Sequence, residues 1–184
     1  MMQDLSLSIL DVAQNSVAAG ASFLSVTVDE QPARDLLRVV IADDGRGMTP
    51  EEARRAADPF YTTRTTRTVG LGLPFFKMAA DLSGGGLTID SAPGAGTTVT
   101  AEFGLTNIDR PPLGDVDETV AVLIQGSPDM DVLYVRRLGD RQMSLDTRVL
   151  RRALGDIPLD APGVSRFIGE YLAQHTRELL AIDS

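Results

Sequence analysis

Three short stretches combine residue types and spacings that could do chemistry. Asp43-Asp44-Gly45-Arg46-Gly47-Met48 directly follows an apolar run. An aspartate at a strand end can accept a hydrogen bond from an exocyclic amine, and Gly45 and Gly47 let the backbone pass close to a flat ring. Alone, the stretch reads equally as an Asp-Gly turn. Asp11 and Asn15 stand four apart in an amphipathic segment, so a helix there puts both on one face. Asn15 offers a hard oxygen for Mg²⁺, and Asp11 could orient or deprotonate a water. A solvated polar face is the plainer reading of such a pair. Gly70-Leu71-Gly72-Leu73 opens a helical pattern, where free N–H groups and the positive dipole end suit phosphate oxygens. It is not a dinucleotide fingerprint, because Phe75 stands where the third glycine belongs, and no Gly-Lys-Ser/Thr makes it a P-loop.

The elements that must position these groups are legible from periodicity and punctuation. Residues 4–19 predict a helix stopped by Gly20, and 23–28 and 36–43 predict strands. Thr49-Pro50-Glu51-Glu52 predicts a capped short helix. Residues 73–82 predict a helix with Pro74 in its first turn, and 87–91 with 97–103 predict a hairpin around Pro93-Gly94-Ala95-Gly96. After the Pro- and Gly-containing stretch 107–114, a helix is expected at about 115–125 and a strand at 131–138. A short strand near 142–145 and helices near 146–154 and 163–181 follow.

Composition excludes several classes of function. Hydrophobic residues make up 43% and charged residues 23% of 184 residues, which suits a packed core. A net charge of -9 disfavours nucleic acid or an anionic membrane as partner. Without cysteine there is no disulfide or thiolate chemistry, and one histidine builds no histidine metal cluster. No apolar run approaches the roughly 20 residues of a membrane span. A cytoplasmic protein is the expectation.

The order of motifs says more than any one of them. A helix with Asn15, a strand ending in D-x-G-x-G, the run Asp58-Pro-Phe-Tyr-Thr-Thr63, G-x-G-L at a helix start and G-x-G-T-T at 94–98 follow one another. Over residues 4–104 this order resembles the nucleotide-binding domain shared by gyrases, heat-shock-90 chaperones, bacterial histidine kinases and MutL-type repair proteins. The resemblance implies an α/β (α+β) two-layer sandwich of the Bergerat ATPase type, with one mixed sheet and helices on one face. It would occupy residues 1–105, with a small α/β extension over 106–184. It implies ATP and Mg²⁺ as ligands, with Asn15 on the metal and Asp11 where hydrolysing members keep a glutamate base. Asp43 would read the adenine amine, Gly45 and Gly47 would shape the pocket, Met48 would pack beside the base, and Thr97 would hydrogen-bond near it. Phe60, Thr62, Thr63 and Arg64 would belong to an ATP lid closed by Gly70, Leu71, Gly72 and Leu73.

Asp11 is one methylene shorter than glutamate, so slow hydrolysis is expected. The lone His175 reads as a helix-face residue rather than a phosphoacceptor. The whole chain is similar to small stand-alone ATP-binding proteins of anaerobic bacteria, often encoded beside hydrogenase subunits, and anti-sigma kinases share its short lid. The resemblance therefore implies an ATP-dependent kinase or ATPase acting on a partner protein, or an ATP-gated interaction module. In the final helix an apolar stripe through Ile168, Tyr171, Leu172 and Leu179 is expected to pack in part on the strand at 131–138. Its remainder, around Tyr171 and Leu179, is expected to dock a partner or a second copy, so that removing 163–184 would spare ATP binding.

Overall fold

The computed structural model describes residues 3–60 and 71–181. Helix α1 (Leu5–Ala18) begins at Asp4, whose carboxylate accepts from Leu7 N, and ends where Gly20, at φ +72°, donates to Val17 O. Strands β1 (Phe23–Gln31) and β2 (Leu36–Asp43) follow, then α2 (Pro50–Ala56) with a complete capping box between Thr49 and Glu52. Helix α3 (Gly72–Leu82) leads into the hairpin of β3 (Gly86–Ser91) and β4 (Thr97–Gly104). Helix α4 (Val116–Gly126), strands β5 (Asp131–Leu138) and β6 (Arg141–Asp146), and helices α5 (Thr147–Leu154) and α6 (Pro162–Leu180) complete the chain.

The six strands among the described residues form one mixed sheet in the order β3-β4-β2-β1-β5-β6, in which the β1–β5 pair is parallel and the other four pairs are antiparallel. Alternation along each strand puts Leu24, Val26 and Val28, Leu37, Val39 and Ile41, Val99, Ala101 and Phe103, and Val132 and Tyr134 on one buried face. Against it lie Leu5, Ile9, Val12 and Ala13 of α1, Phe76 and Ala80 of α3, Val120 and Ile124 of α4, and Ile168 and Leu172 of α6. This is the two-layer sandwich expected from the sequence. The expected boundary at 105/106 falls between β4 and α4. Beyond it β5 continues the same sheet beside β1, and α4 packs on α1.

The final helix differs from expectation. Leu179 is only 5% exposed, in the same core as Ile168 and Leu172, and Tyr171 is half-buried with its hydroxyl donating to Ser144 O at 3.1 Å. The apolar stripe is therefore a packing surface at those positions. The parallel β1–β5 pairing, which no local pattern announces, gives α6 a broad sheet to cover, and removing 163–184 would open that core. His175 stacks on Tyr171 at 3.9 Å between ring centroids, with Nδ1 2.8 Å from Tyr171 O.

A polar cluster sits on the buried face at the C-terminal end of β1. Arg136, 8% exposed, reaches Glu30 at 3.3 Å, and the Tyr134 hydroxyl donates to Asp117 Oδ1 at 3.2 Å. Burial pushes the carboxyl of Asp117 above its ordinary range and keeps the Tyr134 phenol protonated.

Candidate functional site

The sheet end opposite that cluster gathers most of the motif residues. Asp43 closes β2 directly between Leu24 of β1 and Thr97 of β4 in register, on the same face as buried Ile41. Its Oδ2 accepts from Ser16 Oγ at 2.5 Å and its Oδ1 from Gly45 N at 2.9 Å. A carboxylate has about four acceptor positions, so half of its capacity stays open.

Ser91, the last residue of β3, organises the neighbouring side. Its hydroxyl donates to Gly96 O at 2.9 Å and accepts from Met48 N at 2.8 Å. Thr97 Oγ1 lies 2.8 Å from the same oxygen. With the one Ser91 proton spent on Gly96 O, the Thr97 hydroxyl donates to Ser91 and keeps its lone pairs free. Asp43 and Thr97, cross-strand neighbours, thus both present acceptors.

The loop after β2 fits between α1 and the β3–β4 turn. Arg46 N donates to Ala19 O at 3.0 Å and Gly94 N to Arg46 O at 2.7 Å. Gly47, at φ +69°, passes so close that a Cβ there would lie 1.9 Å from Ala92 O, which forbids a side chain. Asp44, adjacent to Asp43, does structural work. It accepts from Ser22 Oγ at 2.6 Å, Ser22 N at 2.8 Å and Phe23 N at 2.9 Å, and these bonds, the Ser22 hydroxyl first, hold its carboxyl below the usual range.

Asp11 and Asn15 lie one turn apart on α1, Asn15 half-buried and next to the Ser16 that holds Asp43. Asp11 is exposed, and partial desolvation raises its carboxyl above the ordinary range. It meets the start of α3: a Cβ on Gly72 would come 2.4 Å from Asp11 Cβ, so glycine lets the two helices touch there. Leu71 caps α3 without a side-chain hydrogen bond, and among the described residues the N–H groups of Gly72 and Leu73 have no partner.

Asp43, Gly45, Gly47, Met48 and Thr97 therefore lie together, with Asn15 alongside, and Asp11 and Gly72 meet farther along α1. Leu73 is 5% exposed and belongs to the core, Leu71 is exposed, and Phe60 is 93% exposed. Thr62, Thr63, Arg64 and Gly70 lie outside the described residues. Sequence reasoning missed Ser16 and Ser91. Ser16 gave one signal, a small polar residue in phase with the apolar side of α1 through Val12 and Ala13. Ser91 gave none beyond its place at a strand end. Among the described residues no three His, Cys, Asp or Glu side chains gather into a metal site, and no helix is long and apolar enough to cross a membrane.

Comparisons with known proteins bear on the family and the fold. Residues 3–107 match the family model described as histidine kinase-, DNA gyrase B- and HSP90-like ATPase. Histidine protein kinase DivJ of Caulobacter vibrioides is 33% identical over 99 residues, covering 52% of this chain and 17% of that protein. Sensor protein SrrB of Staphylococcus aureus is 32% identical over 102 residues, covering 53% of this chain and 17% of that protein. The chain thus spans less than a fifth of the length of these relatives. The crystal structure of the N-terminal domain of a DNA repair protein superposes with a TM-score of 0.52 at 14% identity, over 79% of this chain and 52% of that one, which is a likeness of fold. With the family model covering more than half of its residues, the chain belongs to the histidine kinase-, DNA gyrase B- and HSP90-like ATPases.

Proposed function

We propose that this chain binds ATP with Mg²⁺ between α1 and the β2, β3 and β4 strand ends, and uses it to act on or signal to a partner protein. The observation that carries the reading is the pair of acceptors at Asp43 and Thr97, half of the Asp43 capacity being open. Such a wall suits a base edge that donates, as the adenine amine does, and opposes the carbonyl that guanine carries at that place. Gly47 and Met48 would flank the ring. Asn15 would supply one protein oxygen to Mg²⁺, the phosphates and waters completing an octahedral set, which suits a site without clustered carboxylates. The uncapped start of α3 at Gly72 would face phosphate oxygens. Asp11 would hold or accept a proton from the attacking group. The bound nucleotide supplies the transferable phosphoryl group.

That relatives are named histidine protein kinase and sensor protein supports transfer to a partner. A second reading, an ATP-gated switch with little chemistry, is favoured by Asp11 itself: it is exposed, and no hydrogen bond among the described residues orients it. Calorimetric titration with ATP and GTP tests the site. Comparable affinity for both would sink the Asp43 assignment. Labelled ATP then separates the two readings, since only a kinase leaves phosphate on protein.

A further inference from the structure

The seam between the N-terminal ends of α1 and α4 holds a groove of 310 Å³ whose lining shares no residue with the proposed nucleotide site. Its making is specific. Leu5 N and Ser6 N donate to Pro112 O and Leu113 O at 2.9 and 2.8 Å, which draws the 111–115 segment onto the start of α1. Gly114, at φ +76°, permits that approach, since a Cβ there would sit 2.5 Å from both Asp4 Cγ and Ser6 Oγ. The capping residues Asp4 and Asp115 therefore meet on one rim, and Glu118 joins them from the first turn of α4.

Leu7, Leu10 and Val122 line the groove between them, with Leu7 41% and Val122 48% exposed. None of the three rim carboxylates has a cationic partner among the described residues. Opposing them are two helix N-termini, each worth about half a positive charge, so the rim keeps about two negative charges. The carboxylates win. A chain with net charge -9 does nothing to offset them.

We propose that this groove docks a cationic amphipathic segment of a partner protein, with an apolar side chain between Leu7 and Val122 and Lys or Arg side chains on Asp4, Asp115 and Glu118. The acidic rim repels anionic lipid and nucleic acid, which leaves a basic polypeptide as the complementary occupant. Placement gives the contact a use. Leu7 and Asp11 are one turn apart on α1, about 6 Å along its axis, so a docked segment lies beside the phosphate end of the proposed nucleotide site. That use rests on the ATP reading above, whereas the binding itself does not.

The test uses the full chain and a fluorescein-labelled Leu/Lys amphipathic helical peptide, with a Leu/Glu peptide of the same pattern as control, followed by anisotropy. The Leu/Lys peptide should bind, more weakly as salt rises. Glu118→Lys should weaken it about tenfold and Val122→Ser about fivefold, while Glu170→Lys, the same charge change on exposed α6, leaves it within about twofold. ATP affinity should not move in any variant, and every melt should stay cooperative, with Glu118→Lys, which loses a favourable charge at the α4 N-terminus, and Val122→Ser each lowering Tm by about 2–4 °C at most. Equal binding of the Leu/Glu peptide, an equal loss with Glu170→Lys, or indifference to Val122→Ser would overturn the proposal. Failure of the unaltered chain to bind ATP while the peptide results hold would remove the nucleotide reading and leave the groove.

Discussion

Asp43→Asn is the sharpest perturbation of the proposed nucleotide site, because both oxygens of Asp43 already have known partners. The substitution turns a four-acceptor group into two acceptors and two donors with almost no change of shape. If the amide oxygen keeps Gly45 N–H, the NH₂ faces Ser16 and the open side of the pocket. Ser16 can rotate its hydroxyl to accept, so the fold survives, but the incoming adenine amine now meets a donor. An unpaired buried donor costs about 1–3 kcal/mol, or about 5- to 150-fold in ATP affinity. If the amide turns the other way, its NH₂ confronts Gly45 N–H and the same cost falls on stability, about 2–4 °C in Tm per kcal/mol for a chain of this size. Titration calorimetry and thermal melts on one preparation capture both branches. Ser16→Ala should weaken ATP in the same direction by about 2- to 10-fold, since it removes one net hydrogen bond from Oδ2. An Asp43→Asn protein with unchanged Tm and ATP affinity within about twofold of the parent would refute the assignment.

Gly72→Ala should lower Tm, because its Cβ would stand 2.4 Å from Asp11 Cβ and α3 must shift; a cost of about 1–3 kcal/mol is expected, and an unchanged melt would show that the helices are not in contact there. Leu172→Ala, at a fully buried position of α6, should cost about 2–5 kcal/mol in denaturant titration, while a loss under about 1 kcal/mol would put α6 outside the shared core. Asp117 gives a pH test. Its folded pKa is raised by burial, so the folded state holds the proton more tightly than the unfolded chain, where the pKa is about 3.9. Its contribution to stability is therefore present below that value and lost as pH rises toward the raised folded pKa. Asp117→Asn, which keeps an acceptor for the Tyr134 hydroxyl, should gain stability relative to the parent as pH rises from about 4, and parallel Tm–pH curves would contradict it.

The sequence by itself determined the local elements and where they stop. Thr49-Pro50-Glu51-Glu52 closes a capping box using only its own atoms, and the apolar runs rich in β-branched and aromatic residues at 36–43 and 131–138 suffice for strands whose ends fall at those residues. It also determined the order of motifs, because a D-x-G-x-G turn needs its glycines wherever the chain later goes. What the tertiary structure decided is pairing. Nothing in residues 131–138 says that they lie parallel beside residues 23–30, because a strand's own pattern specifies which face is buried and not which neighbour shares its hydrogen bonds. That pairing carries α6 onto the common sheet and turns Leu179 from a presumed docking residue into core. The same holds at the site. Asp43 is legible as an acceptor at a strand end, but the hydrogen bonds of Ser16 and Ser91 that set its free acceptors and those of Thr97 join residues 27 and 6 apart, and only the packing of α1 on β2 and the closing of the β3–β4 turn create them.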